Sequence, residues 1–370
     1  MSSIEYIERT PADKHSIPRS PRQLINLVQI SDLHMGPLFD NSKGSIVSGF
    51  NAHDVKLCQA LMQFLDEDVY TIEGVTDESP PFLIVNGDLT CTGTDREFEV
   101  ANTFLFSRHA IVKNNIARFV GLNQPQGRFS GIPGNHDHWS GSWVWPNQTG
   151  YSRQIYDQFF EPLPFSASVL CNQGIELCIF GVDSCSMFED STFNVNPLAN
   201  GGFSDSHRWQ FQRLVVNSLK QPLSHGCSHR EAIIVCHHPF TKDGAAGPLR
   251  TRHAKWIGKL AARYGIRHIF TGHTHRTWTN LMSIHTRAGW QDVREVRCPT
   301  TLQYPARLDA SLRRPGLWLH QISADHDEIS WKSRLVLFSE SSFYFPTDVD
   351  FTSRRASLIE ASFPRKRRIL

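Results

Sequence analysis

A chain of 370 residues, 40% of them hydrophobic, can fill one large domain or two ordinary ones and has material for a substantial core. Its 38 Lys and Arg against 36 Asp and Glu leave a formal charge of +2, which argues against both an overall nucleic-acid clamp and an acidic shell. The eight cysteines form no Cys-x-x-Cys pair, Met1–Gln23 holds no apolar signal-peptide core, and no stretch approaches the roughly 18 residues of a membrane span, so the expectation is a cytoplasmic protein with reduced thiols and no membrane partner.

Residues 1–22, polar and carrying Pro11, Pro18 and Pro21, read as a loosely ordered arm. Residues 23–345 read as one domain, and 346–370 as a polar tail ending in Arg365-Lys366-Arg367-Arg368. From Leu24 onward, short apolar runs end at once in metal-type residues. Leu24–Ile30 leads to Ser31-Asp32-Leu33-His34, and Phe82–Val85 to Asn86-Gly87-Asp88. Phe129–Ile132 leads to Pro133-Gly134-Asn135-His136-Asp137, and a sixth run, Leu177–Val182, to Asp183-Ser184 without an evident ligand. Ala232–Cys236 leads to His237-His238-Pro239, and Ile266–Phe270 to Thr271-Gly272-His273-Thr274-His275. Runs of this length and composition are strands buried on both faces.

Helices are predicted between them. One spans about 52–66 with Asn51 as cap, and a second opens at the capping box Thr94-Asp95-Arg96-Glu97 and runs toward His109. A third runs from Ser204 to about Lys220, and a fourth covers 253–264 and stops at Gly265. Alternating strands and helices predict an α/β fold, whose working residues sit just beyond the carboxyl ends of the strands. Past Trp290, Val293–Arg297, Leu317–Ile322 and Ile329–Phe338 predict a meander that forms a second sheet packed on the first.

Two cations about 3.5–4 Å apart need a bridging anion, further oxygen and nitrogen ligands, and open positions for water and phosphate. Asp32, His34, Asp88, Asn135, His237, His273 and His275 supply that inventory, and imidazole with carboxylate suits manganese, iron or zinc better than calcium. Singly, these residues have plainer readings: a surface coincidence for Asp-x-His, a turn for Gly-Asp, packed imidazoles for His237-His238. Five such strand ends in one chain do not. His136, directly after Asn135, is placed to hydrogen-bond a phosphate oxygen or to protonate a leaving oxygen. Asp137 either orients His136 or caps the following loop. Trp139, Trp143, Trp145 and Tyr151 read either as a wall of the substrate cleft or as loop packing, so Asn135, His136, Trp139 and Trp143 are the candidate substrate contacts.

Over Leu24 to Arg276 these five motifs resemble the calcineurin-like metallophosphoesterase superfamily. The resemblance implies a four-layer α/β-β/α sandwich with two central mixed sheets. It implies two divalent metal ions, the first held by Asp32, His34 and His275, the second by Asn135, His237 and His273, with Asp88 bridging. His237 is chosen over His238 because the family's ligand precedes the proline by two. The reaction implied is hydrolysis of a phosphate ester by a hydroxide shared between the metals. Protein serine/threonine phosphatases of the superfamily carry Gly-Asp-x-x-Asp-Arg-Gly, whereas Leu89, Thr90, Cys91 and Thr92 follow Asp88 here. Asn86-Gly87-Asp88-Leu89-Thr90, with Gly93 and Glu97 to Glu99 after it, is similar instead to the branch that contains class III cyclic-nucleotide phosphodiesterases. The expected substrate is therefore a small phosphodiester such as a cyclic nucleotide. The alternative is a phosphomonoester of a nucleotide, sugar or protein. A nucleic-acid partner is disfavoured by the low net charge and the lack of an evident basic stripe, and a non-catalytic scaffold would be expected to have lost ligands.

Overall fold

The apolar runs become parallel strands, and the polar residues after each run gather at one edge of them. In the computed structural model the described residues are 24–36, 53–113, 116–139, 151–170, 174–188, 200–240, 247–303, 314–324, 328–338, 343–344 and 358–364. The first part of the chain gives β1 (Ile25–Ile30), α1 (Val55–Asp66), β2 (Phe82–Asn86), α2 (Asp95–Phe106), β3 (His109–Lys113), β4 (Ile116–Val120) and β5 (Phe129–Ile132). The middle gives α3 (Tyr151–Phe159), β6 (Phe165–Leu170), β7 (Ile175–Gly181), α4 (Asp205–Lys220), β8 (His229–Val235), α5 (Thr251–Tyr264) and β9 (His268–Thr271). The last part is all strand: β10 (Trp278–Thr286), β11 (Gly289–Arg297), β12 (Gly316–Ala324), β13 (Glu328–Phe338), β14 (Phe343–Tyr344) and β15 (Leu358–Pro364).

Two mixed sheets result. One has the order β14-β13-β12-β1-β2-β5, with β15 also on β13, and the other the order β10-β11-β9-β8-β7-β6; β3 and β4 form a separate hairpin. Strand alternation shows how the layers stack. On β7 and β8, Leu177, Ile179, Ile233 and Val235 join the core that contains the first sheet, while Cys178, Phe180, Ala232 and Ile234 join the core under α4 and α5. Sheets therefore pack against each other, with α1 and α2 in the core of the first sheet and α4 and α5 against the second. This is the expected α/β sandwich with two central mixed sheets.

Several boundaries differ from expectation, each for a local reason. Asp54, not Asn51, caps α1, accepting from the amides of Lys56 and Leu57; Asn51 lies outside the described residues. The capping box at Thr94 and Glu97 forms, but α2 ends at Phe106 because the chain enters β3 at His109. Ser204 caps α4 by accepting the His207 amide, and α5 starts at Thr251 and ends at Gly265 with φ +71°. The predicted meander is not one unit. Val293–Arg297 is the end of β11 and pairs with β9, while β12 and β13 continue the first sheet beside β1. Within the span read as a polar tail, Leu358–Pro364 forms β15 along the edge of β13; residues 365–370 lie outside the described ones. Among the described residues no disulfide joins the seven cysteines, and no helix is long and apolar enough to cross a membrane.

Candidate metal centre

The site is built where strands end and the backbone turns in an uncommon way. Of the six non-glycine residues with positive φ among the described residues, five are predicted ligands: Asp32 (52°), His34 (47°), Asp88 (51°), His273 (73°) and His275 (55°). A side chain held in the left-handed region costs on the order of 1 kcal/mol. Strain concentrated on these five marks them as placed by the surrounding fold. Glycine enters the motifs because the loops touch. A Cβ on Gly134 would lie 2.1 Å from Asp88 Oδ1, and one on Gly272 would lie 1.9 Å from Ser31 Oγ.

Six of the seven predicted ligands gather in two groups that share Asp88, and the seventh, Asn135, lies beside the second. Asp32, His34, Asp88 and His275 form one group, and Asp88, His237 and His273 the other. In the first, His275 Nε2 lies 3.2 Å from Asp32 Oδ1 and 3.2 Å from His34 Nε2. In the second, His237 Nε2 lies 3.3 Å from Asp88 Oδ2, 3.2 Å from Asn135 Oδ1 and 3.1 Å from His273 Nδ1. Ligand atoms roughly 2.0–2.2 Å from one transition-metal ion stand about 3–3.5 Å from each other, so the spacing fits. Asp88 Oδ2 is also 3.9 Å from His34 Nε2, so one carboxylate faces both groups.

The atoms that do not converge are committed to the protein. Asp32 Oδ2 accepts from the Ser31 hydroxyl at 2.5 Å and the His273 amide at 3.1 Å, while the buried Oδ1 faces the His275 and His34 imidazoles. Asp88 Oδ1 accepts the His136 amide, and His237 Nδ1 donates to the Asn86 carbonyl at 2.7 Å, which leaves Nε2 as the ligating nitrogen. A buried carboxylate oxygen and imidazole nitrogens that all face one common point fit a metal ion better than a closed hydrogen-bond network. His238 is placed elsewhere, its Nδ1 2.8 Å from Ser184 Oγ.

The charges follow from this crowding. Burial would raise Asp88, but His237, His136 and His34 hold its carboxyl well below the usual range. Burial would lower His237, yet the Asp88 carboxylate outweighs it and lifts the imidazole to about 9. His34 and His273 are pushed well down, chiefly by burial.

His136 lies beside the ligands, its ring edge-on to His34 at 4.6 Å between centroids. Its Nδ1 is 2.8 Å from the Cys91 carbonyl oxygen and donates to it, which leaves Nε2 for chemistry on a substrate. Trp139 lies against the same ring, with centroids 3.8 Å apart and the planes tilted by 35°; Trp143 and Trp145 lie outside the described residues. The hydrogen bonds of Asp137 run to the backbone and not to His136. Its carboxylate accepts from the amides of Leu89, Thr90 and Gly134 and from the Thr90 hydroxyl, clamping the Asp88 loop to the Asn135 loop. Burial and the nearby Asp88 raise Asp137 to about 6.

Sequence reasoning missed the supports. Asp183 Oδ2 lies 3.0 Å from His138 Nε2 and 3.1 Å from an Arg153 guanidinium nitrogen, and Ser184 Oγ also accepts the His238 amide. The sixth strand end thus braces the loops that carry Asn135 and His237. Thr300 donates its hydroxyl to the Asp32 carbonyl, and Thr301 pairs with the Ser31 backbone. The signal for Asp183-Ser184 was its place after a buried strand; Thr300 and Thr301 gave none.

Several solved structures are similar to the chain. GAP50, described as the anchor in the inner membrane complex of Plasmodium, matches with a TM-score of 0.50 at 11% identity, over 94% of this chain and 91% of that one. Purple acid phosphatase PPD1 from yellow lupin (Lupinus luteus) seeds matches at 0.45 and 13%, over 85% and 52%. The calcineurin-like phosphoesterase YfkN from Bacillus subtilis matches at 0.38 and 11%, over 93% and 91%. At 11% identity the likeness to GAP50 bears on the fold alone. No curated protein matches the chain. The family model for calcineurin-like phosphoesterases matches residues 25–277, a span that contains all seven ligands. The chain belongs to the calcineurin-like phosphoesterase family.

Proposed function

We propose that this protein hydrolyses a small phosphodiester, a cyclic nucleotide being the first candidate, with two divalent metal ions as cofactors. Family membership gives metal-dependent phosphoester hydrolysis as the reaction class. The observation that carries the two-ion reading is Asp88 Oδ2, which faces His34 in one ligand group and His237 in the other. When bound, ions of the manganese, iron or zinc type supply Lewis acidity and a water that ionises near neutral pH.

The chain's own residues do the rest. Asp32, His34 and His275 would hold one ion, Asn135, His237 and His273 the other, and Asp88 both. His136, with Nδ1–H given to the Cys91 carbonyl, would as the imidazolium carry a proton on Nε2 for the departing ester oxygen, a charge that burial opposes and Asp88 favours. Trp139 against its ring limits how far the imidazole can tilt. The diester preference rests on charge. A monoester carries close to two negative charges at neutral pH and a diester one. The second motif brings no arginine for the extra charge: Leu89 and Thr90 follow Asp88, and both their amides are held by Asp137. The Asn86-Gly87-Asp88-Leu89-Thr90 stretch keeps its likeness to the cyclic-nucleotide phosphodiesterase branch.

A non-catalytic scaffold is the competing reading, raised by the fold shared with GAP50. Backbone strain on five of the candidate ligands counts against it, since strain of this kind clusters at working sites. The test is turnover of bis(4-nitrophenyl) phosphate against 4-nitrophenyl phosphate by metal-reconstituted protein. A higher kcat/KM for the diester is expected. Faster turnover of the monoester would overturn the substrate class, and no turnover of either ester with both ions bound would overturn the enzyme.

A further inference from the structure

The outer layer of the second sheet carries charge that the chain's net +2 conceals. From Pro248 to Arg267 the sequence contains six Lys and Arg and no Asp or Glu. Four of them, Arg252, Lys255, Lys259 and Arg263, are exposed on α5. They lie three, four and four residues apart, so they form one stripe along the helix, about 16 Å long at 1.5 Å per residue. The other face of α5 is committed to the core through Ile257, Leu260 and Ala261. α4 adjoins it, with Phe211 and Trp256 in ring contact at 6.3 Å. α4 adds exposed Arg213 and Lys220, and Trp209, 62% exposed with the Arg213 guanidinium 5.0 Å from its ring centre. The one acid on the two helices, Asp205, is paired with Arg208.

Like charges four residues apart destabilise a helix. Only Arg263, in the last turn, favours α5 through the helix dipole and the Tyr264 ring; the rest of the stripe works against the helix, which points to a use outside the chain. We propose that the α4–α5 layer docks on the surface of an anionic lipid bilayer. Both helices pack on one sheet, so their cations and Trp209 are presented from a single layer and match a plane. A helix that reads bases in duplex DNA, by contrast, enters a groove about 12 Å wide, which α5, flanked by α4, is poorly placed to do. Lys and Arg with an exposed Trp are the side chains that settle at the headgroup level. The contact is peripheral. It is compatible with the absence of a spanning helix among the described residues.

The test is co-sedimentation of the full chain with phosphatidylcholine vesicles and with mixed phosphatidylcholine–phosphatidylserine vesicles, at low and high salt. The protein should sediment with the mixed vesicles alone, and high salt should release it. The variant Lys255→Gln/Lys259→Gln/Arg263→Gln keeps good helix formers and should lose about 100-fold in partitioning, from roughly tenfold for each 1.4 kcal/mol and about 1 kcal/mol for each cation at the surface. Its turnover of a soluble ester should equal that of the parent. Arg96→Gln, on α2 beneath the other sheet, should change neither. No binding to the mixed vesicles, equal binding to neutral ones, or binding unchanged in the triple variant would overturn the proposal. So would loss of binding on truncation before Arg365 with α5 intact, or binding of duplex DNA or single-stranded RNA in place of vesicles.

Discussion

Asp32, Asp88 and His237 each have one polar atom anchored in the protein and one aimed at the centre. That division is what turns a carboxylate or an imidazole into a ligand with a fixed direction. It also separates roles that the sequence leaves joined. His136 sits next to a ligand but has its own anchor at Cys91, so His136→Ala should retain both ions while turnover falls by about 10²–10⁴-fold. Metal analysis beside a turnover assay checks this, and loss of metal together with activity would show His136 to be structural. Asp183→Asn should instead weaken retention of the second ion by about 10–100-fold, since His138 and Arg153 lose the charge that ties down the Asn135 loop. A metal titration in which both sites stay as tight as in the parent would refute that. The seven candidate ligands could be picked out because each lies within a short motif at a strand end. Asp183 was not, because His138 and Arg153 come from other segments, and a carboxylate after a strand names no partner.

At the scale of elements, strands and helices with strong local signals appeared where the sequence put them. Thr94 and Glu97 make the capping box that their spacing requires. Thr94→Ala should lower stability by about 1 kcal/mol in urea denaturation, with the metal sites intact. A change below the error of the measurement would mean that packing alone fixes the start of α2. Long-range pairing was the part that could not be read. Val293–Arg297, Leu317–Ile322 and Ile329–Phe338 are strands, but adjacency in sequence suggested one meander, whereas β11 joins β9 and β12 joins β1. The register is decided by which faces must be buried between the sheets, and a local pattern of apolar residues contains no such information. β6 was missed for a related reason: Phe165, Ala167 and Val169 alternate with Ser166 and Ser168, a weaker signal than the unbroken runs. The sequence reading found no basic stripe; the one on α5 corrects it, having been hidden by averaging charge over the whole chain.

Across the whole molecule the two sheets are joined by polar contacts as well as apolar ones. Gln29 of β1 donates to the Thr271 and Val296 carbonyls of the other sheet, and its side-chain oxygen lies 3.1 Å from His320 Nε2. His320 is fully buried, stacks on Phe270 at 4.3 Å, and is pushed down by burial to about 3; burial likewise takes His53 to about 4. A histidine kept neutral in the fold but free to protonate near 6.5 when unfolded makes stability fall as the pH drops below 6.5 and until its folded value is reached. Each such residue contributes a slope of up to about 1.4 kcal/mol per pH unit in that window. His320→Gln should flatten the pH dependence of unfolding free energy between about pH 6.5 and 3; an unchanged slope would show that His320 does not titrate on unfolding. The two sheets matter because the ligands come from both: Asp32, Asp88 and Asn135 follow strands of one, His237 and His273 follow strands of the other. A single carboxylate, Asp88, joins the two groups they form. The most direct measurement is the metal content of purified, reconstituted protein, parent beside Asp88→Ala. Two transition-metal ions per chain in the parent, and loss of metal together with ester hydrolysis in the variant, are the predicted results. A parent that binds no metal, or a variant that keeps both ions and full turnover, would contradict the account.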